Sequence, residues 1–160
     1  MNKISIILLL AFSPISFAID TGASMPACTL TDISKNSDVS MPTSGKVVYV
    51  DFWASWCAPC AKSMPFLEEL HQKFKTKGLD VIAINVDDDK ADGIKFLEKM
   101  NVTFPIATNP DSTCAGLFSV QTMPSSYLFD KKGKLRYIEL GFFSENRNDV
   151  TQKVEKLLAE

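Results

Sequence analysis

Two hydrophobic periods alternate along this chain. Lys46 to Trp53 and Leu79 to Val86 are β-branched and aromatic runs, and each reads as a strand entered from a glycine. Between them Met64, Leu67, Leu70 and Phe74 recur at spacings of three and four, which predicts a helix over 58–77. Pro59 suits its first turn, Pro65 should kink it, and Gly78 ends it. Further on, the pattern predicts a helix over 91–100 with Ile94, Leu97 and Phe96 inward, a short strand over 103–107, and a short helix over 111–118. Ser125 to Phe129 reads as a strand, Asp130 to Gly133 as a hairpin turn, and 134–140 as its antiparallel partner. A last helix follows over 145–158, with Val150, Val154, Leu157 and Leu158 inward. Residues 20–45 are polar and turn-rich, with a short edge strand at Cys28-Thr29-Leu30. Strands alternating with helices, then a hairpin and a helix, predict an α/β fold with a mixed sheet covered on both faces.

The first eighteen residues follow a different rule. Lys3 supplies a basic start, Ile4 to Phe12 an apolar core, and Ser16-Phe17-Ala18 a small-x-small cleavage site, the pattern of a signal peptide cut after Ala18. The core is short for a bilayer and Ser13 and Pro14 interrupt it, so an uncleaved anchor is the weaker alternative. No cysteine stands at the junction to take a lipid. Residues 19–160 then form one domain, long enough to bury a sizeable core. Without Lys3 there are 16 basic against 19 acidic residues, and no basic cluster interleaved with aromatics, which excludes nucleic acid as a partner. Export places the chain in the periplasm or an equivalent oxidising space, where paired cysteines persist.

That compartment gives weight to Trp56-Cys57-Ala58-Pro59-Cys60, which joins a strand to a helix start. Free N–H groups and partial positive charge at a helix N-terminus favour a thiolate over a thiol, so Cys57 is the candidate nucleophile and the more exposed sulfur. Cys60, one turn on, can close a disulfide with it. The pair is itself the redox group and asks for no cofactor. Zinc would need two further ligands, and only Cys28, Cys114 and His71 remain, unpaired in sequence, so no metal is expected. Cys28 and Cys114 either bridge or stay as two buried thiols; geometry decides. Asp51, six residues before Cys57 in an apolar strand, is a buried acid whose pKa desolvation would raise, suited to take the proton of Cys60 through a water. Trp56 reads as a partly exposed lid beside Cys57 and Trp53 as core. Asp87-Asp88-Asp89 reads as a solvated cap for the next helix, with Asp88 as a second acid near the thiols the lesser reading. His71 reads as a surface residue.

The stretch Val50-Asp51-Phe52-Trp53-Ala54-Ser55-Trp56-Cys57-Ala58-Pro59-Cys60, Pro65, Thr122-Met123-Pro124 before Ser-Ser-Tyr-Leu-Phe-Asp, and Gly141 together resemble the thioredoxin fold. More narrowly, they resemble the exported TlpA/ResA-type thiol–disulfide oxidoreductases. The 37 residues between Val86 and Pro124 match that group's inserted strand and helix before the cis-proline strand. Two features depart from the ResA type: the acid at Asp51, which thioredoxin has, and Asp88 where a Glu is usual. The resemblance implies a cis Met123–Pro124 bond that turns the Met123 backbone toward the disulfide, where an extended client can pair with it as an added strand. It also implies exported protein clients, such as apocytochrome c thiols or the cysteines of copper-site assembly proteins, and a membrane thiol carrier as electron donor. The chain is read as a monomer. Ala58-Pro59 adds neither charge nor histidine beside Cys57, which favours a reductase. An oxidant or isomerase with the same residues is the alternative. So is a non-catalytic module that binds a partner or Cu(I) through its thiolates. A peroxidase would want Thr or Ser where Ala54 stands.

Overall fold

The computed structural model describes residues 19–42 and 45–160; the segment read as a signal peptide, 1–18, lies outside the described residues. Among the described residues seven strands form one sheet: β1 (Leu30–Asp32), β2 (Asp38–Val39), β3 (Val47–Trp53), β4 (Leu79–Asn85), β5 (Ile106–Thr108), β6 (Ser125–Phe129) and β7 (Leu135–Leu140). Their order across the sheet is β2-β1-β5-β4-β3-β6-β7, with β3, β4 and β5 parallel and the other pairings antiparallel. The helices are α1 (Ala58–Phe74), α2 (Lys90–Leu97), α3 (Thr113–Leu117) and α4 (Arg147–Ala159).

Every residue of β3 is buried, because the strand has a neighbour on each side and a cover on each face. Its side chains alternate between two cores. Val47, Tyr49 and Trp53 join Met64, Leu67, Leu70 and Phe74 of α1 and Val150, Val154 and Leu157 of α4. Val48, Val50 and Phe52 join Phe118, Cys114 and Leu30 on the opposite face. Phe52, Phe118 and Tyr127 pack there with ring centroids 5.0–5.9 Å apart. Burying one such ring fully is worth about 1.5–3 kcal/mol.

α1 runs through Pro65, which is exposed, so its ring lies on the solvent side of the helix. Gly78 then takes the left-handed conformation (φ +101°) that ends the helix after one 3-10 turn, and Val47 N–H bonds its carbonyl. The helix expected over 91–100 is shorter, at 90–97, and the one expected over 111–118 covers only 113–117. In the second case the Asp111 carboxylate takes the Thr113 N–H and hydroxyl, holding 111–112 in a turn. The strand expected over 103–107 is displaced to 106–108, because Glu68 of α1 binds the Thr103 N–H (2.8 Å) and hydroxyl (2.8 Å) and draws that segment off the sheet. The strand expected at 28–30 lies at 30–32 and is not the edge, since β2 pairs outside it. Ahead of it, residues 22–25 bond along Gly133–Leu135, at the start of β7, so the N-terminal segment crosses one whole face as a strap. Disulfide Cys28–Cys114 (S–S 2.17 Å) ties that strap to α3, closing the alternative left open by spacing alone.

Candidate active site

β3 delivers the chain to the carboxyl edge of the sheet at Trp53, the usual place for a site in an α/β fold. The turn Ala54–Cys57 follows, with Cys57 N–H bonded to Ala54 O. Cys57 is the N-cap of α1 in extended conformation, and its Sγ accepts the Cys60 N–H at 3.1 Å. The two sulfurs form a disulfide of 2.06 Å. Pro59 occupies the first turn, where no N–H is missed. A helix mouth with a donor already aimed at Cys57 Sγ favours negative charge there once the bond opens. In the disulfide state Cys57 is 4% exposed, the more exposed sulfur as expected, with Trp56, Pro59 and Met123 standing around it. Cys60 is fully buried, which leaves Cys57 the reachable sulfur.

Trp56 is 69% exposed and Trp53 is buried, as their positions predicted. Trp56, Cys57 and Pro59 form one wall of an open groove of about 530 Å³, and Val120, Thr122 and Met123 form the other. The Met123–Pro124 bond is cis. Met123 is half-buried beside Cys57, whereas Pro124 is buried beneath it, and its carbonyl takes the Gly141 N–H at 2.8 Å. Gly141 sits at φ +76°, a backbone state that suits glycine, directly after β7.

Asp51 is fully buried and faces the α1 side, between Tyr49 and Trp53 on that face. Ser126 Oγ donates to its Oδ1 at 2.5 Å, while Oδ2 has no hydrogen-bond partner. Burial pushes the Asp51 carboxyl up to about 7, against the Ser126 bond that favours the anion.

The acidic run divides its labour. Asp89 caps α2 through the Ala91 N–H (2.9 Å), as expected. Asp87 does something else: its carboxylate takes the Ser55 N–H at 3.0–3.1 Å and the Ser55 hydroxyl at 2.9 Å. Asn85 Nδ2 steadies it at 2.7 Å. The reading of all three aspartates as a solvated cap therefore fails for Asp87, which fastens the turn that presents Cys57. Asp88 is exposed and lines a separate cleft with Cys114, Asn109 and Asp89. His71 is not a plain surface residue either. Its ring packs edge-on to Phe104, its Nδ1 is buried without a partner, and desolvation lowers its pKa.

Against protein-family models, residues 20–157 match the one described as Redoxin. The thiol-disulfide oxidoreductase ResA of Geobacillus kaustophilus (strain HTA426) is 30% identical over 140 residues, which is 88% of this chain and 79% of that protein. Among solved structures, a Chlorobium tepidum chain carrying the name thiol:disulfide interchange protein DsbE has a TM-score of 0.83 at 34% identity, over 88% of this chain and 99% of its own. The thioredoxin domain of a thiol-disulfide oxidoreductase from Bacteroides vulgatus has a TM-score of 0.78 at 28% identity, over 88% and 99%.

Proposed function

Because the chain belongs to the Redoxin family, has the thioredoxin fold and is a thiol–disulfide oxidoreductase of the TlpA/ResA type, we propose that Cys57 and Cys60 carry the exchange, with Cys57 attacking first. The Cys57 thiolate displaces one sulfur of a client disulfide and stays bonded to the other. Cys60 then gives up its proton and attacks Cys57 Sγ. The client leaves reduced and the protein keeps the Cys57–Cys60 disulfide. The observation behind this order is the cap: Cys57 Sγ receives the Cys60 N–H at the mouth of α1, while Cys60 is sealed behind it.

Asp51 is the base for Cys60 in this reading. A carboxyl titrating at about 7 can accept a thiol proton and return it near neutral pH, which an ordinary aspartate at 3.8 does poorly. Trp56 and Met123 bind the client; Pro124, expected to share that role, is buried beneath Met123 and serves instead through the cis bond that turns the Met123 backbone to the groove. The groove between Trp56 and Met123 runs over Cys57, so an extended segment can pair with the Met123 backbone while its cysteine meets the sulfur.

The protein works as a reductase of exported proteins, apocytochrome c thiols or copper-site assembly proteins among them, and draws electrons from a membrane thiol carrier. What supports this direction is the neutral Ala58-Pro59 pair, which adds no donor or charge to stabilise the reduced form further. No helix among the described residues is long and apolar enough to cross a membrane. Two measurements test the proposal. A Cys60→Ala variant should hold clients on Cys57 as mixed disulfides identifiable by mass spectrometry, and a Cys57→Ala variant should hold none. The reduction potential should fall well below about −180 mV; a value above it assigns the protein to oxidation or isomerisation instead.

A further inference from the structure

A buried base gains and loses a proton as the two sulfurs cycle, and Asp51 has no exposed atom through which to exchange one directly with solvent. The register of the sheet shows where the polar atoms lead. Asp51 of β3 pairs with Ser126 of β6, and Ser126 pairs with Glu139 of β7. Directly opposed residues share a face, so the three side chains form one polar row across the face that α1 and α4 cover. The Tyr49 hydroxyl interacts with Ser126, with Asp51 and Glu139 as its charged neighbours; burial raises its pKa, so it stays a neutral donor. Ser126 and Glu139 line one cavity of about 30 Å³ under Phe66 and Val150, room for a water. At its outer end Glu139 is partly exposed and is held by Lys153 Nζ at 2.7 Å.

We propose that the row Asp51–Ser126–Glu139 is a proton exit: the proton that Asp51 takes from Cys60 passes through the Ser126 hydroxyl and the cavity to the Glu139 carboxylate, and from there to solvent. The inference rests on the reading of Asp51 as the base. The balance is simple. Cys60 Sγ bonds Cys57 Sγ, the Cys57–client bond breaks, the client takes the electron pair as a thiolate, and the Cys60 proton travels outward along the row. The titratable and charged groups facing the row are Cys60 from α1, Tyr49 from β3, and Arg147, Lys153 and Asp149 from α4, with Asp149 also bound to the Lys153 ammonium at 2.6 Å. β4 contributes only Ala83 opposite Asp51. β4 therefore places no titratable group opposite the acid. Ser126 and Glu139 act through Asp51 and do not touch the sulfurs.

The test is multiple-turnover reduction of a model peptide disulfide with excess dithiothreitol, from pH 6 to 8.5, at low and high concentration of a small buffer base. Asp51→Asn should slow turnover on the order of 10²-fold. Ser126→Ala and Glu139→Gln should each slow it by about tenfold, a fraction of that general-base effect, and buffer should restore the rate. Ser126→Thr, which keeps the hydroxyl, should turn over at the wild-type rate. If Ser126→Ala and Glu139→Gln match wild type in rate, pH profile and buffer response while Asp51→Asn is slow, the exit is refuted and the base reading survives. If Asp51→Asn is also unchanged, both fall. Circular dichroism of each variant separates a slow protein from an unfolded one.

Discussion

Replacing Asp51 by Asn should make the oxidised protein less sensitive to pH, by an amount that its burial sets. The carboxyl titrates at about 7 in the native state and at 3.8 in the unfolded chain. Between those values the unfolded chain has released the proton that the native protein still holds. Native protein then binds more protons, so its stability falls as pH rises through that window. Each pH unit costs about 1.4 kcal/mol, and three units give a loss of about 4 kcal/mol, complete above pH 7 and absent below pH 4. Asn is neutral throughout and can still accept the Ser126 hydroxyl. Its amide would face the position of the unpartnered Oδ2, a penalty of about 1–3 kcal/mol that does not vary with pH. The diagnostic quantity is therefore the change in the difference between the two proteins, not the difference itself. Urea unfolding with both disulfides intact, at pH 4 through 8, should show Asp51→Asn gaining about 4 kcal/mol relative to wild type across the range. Other titrating groups cancel in the comparison. A difference that stays flat from pH 4 to 8 would mean that Asp51 ionises like a solvated aspartate, and the argument from burial would be wrong.

Three other outcomes follow from the geometry. Removing the Cys28–Cys114 bridge with paired alanines opens a loop of sequence separation 86, and the chain-entropy model puts the loss at about 4–5 kcal/mol. Unchanged urea stability would show that the backbone bonds along Gly133–Leu135 hold the strap unaided. Asp87→Ala removes the acceptor for the Ser55 N–H and hydroxyl, with an expected loss of about 2–3 kcal/mol and faster alkylation of reduced Cys57 by iodoacetamide. A variant with wild-type melting temperature and alkylation rate would show that the turn is held by other contacts. Trp56→Ala should leave stability within about 0.5 kcal/mol, since the ring is 69% exposed, yet raise KM for a peptide disulfide. Unaltered KM would remove Trp56 from the client groove.

Local chemistry was readable without coordinates. Cys57 and Cys60 are one helical turn apart, so their bridge follows from helix geometry alone. The alternation of β3, with Asp51 inside an apolar run, implied a buried acid, and the structure buries it fully. Gly78 and the turn before β7 announced their own conformations, and the hairpin strand Ser125–Phe129 lies where its pattern put it.

What stayed hidden depends on residues far apart in the chain. Cys28 meets Cys114 only because the strap crosses the sheet to α3. Asp87 looked like a cap because a carboxylate before a helix satisfies free N–H groups, but Ser55, 32 positions away, offers its N–H and hydroxyl on the neighbouring strand's loop. Glu68 likewise displaces β5 by claiming Thr103 from 35 residues away. The burial of Cys57 is of the same kind, since Met123 approaches it from the other side of the fold. Whatever the period of one helix or strand governs was legible in the chain: the order of the longer elements, the redox pair and the buried acid, though not the two-residue β2 at Asp38–Val39. Tertiary structure alone decided which polar groups find each other across strands, because a hydrogen bond or disulfide between distant segments depends on register and packing that no local pattern encodes.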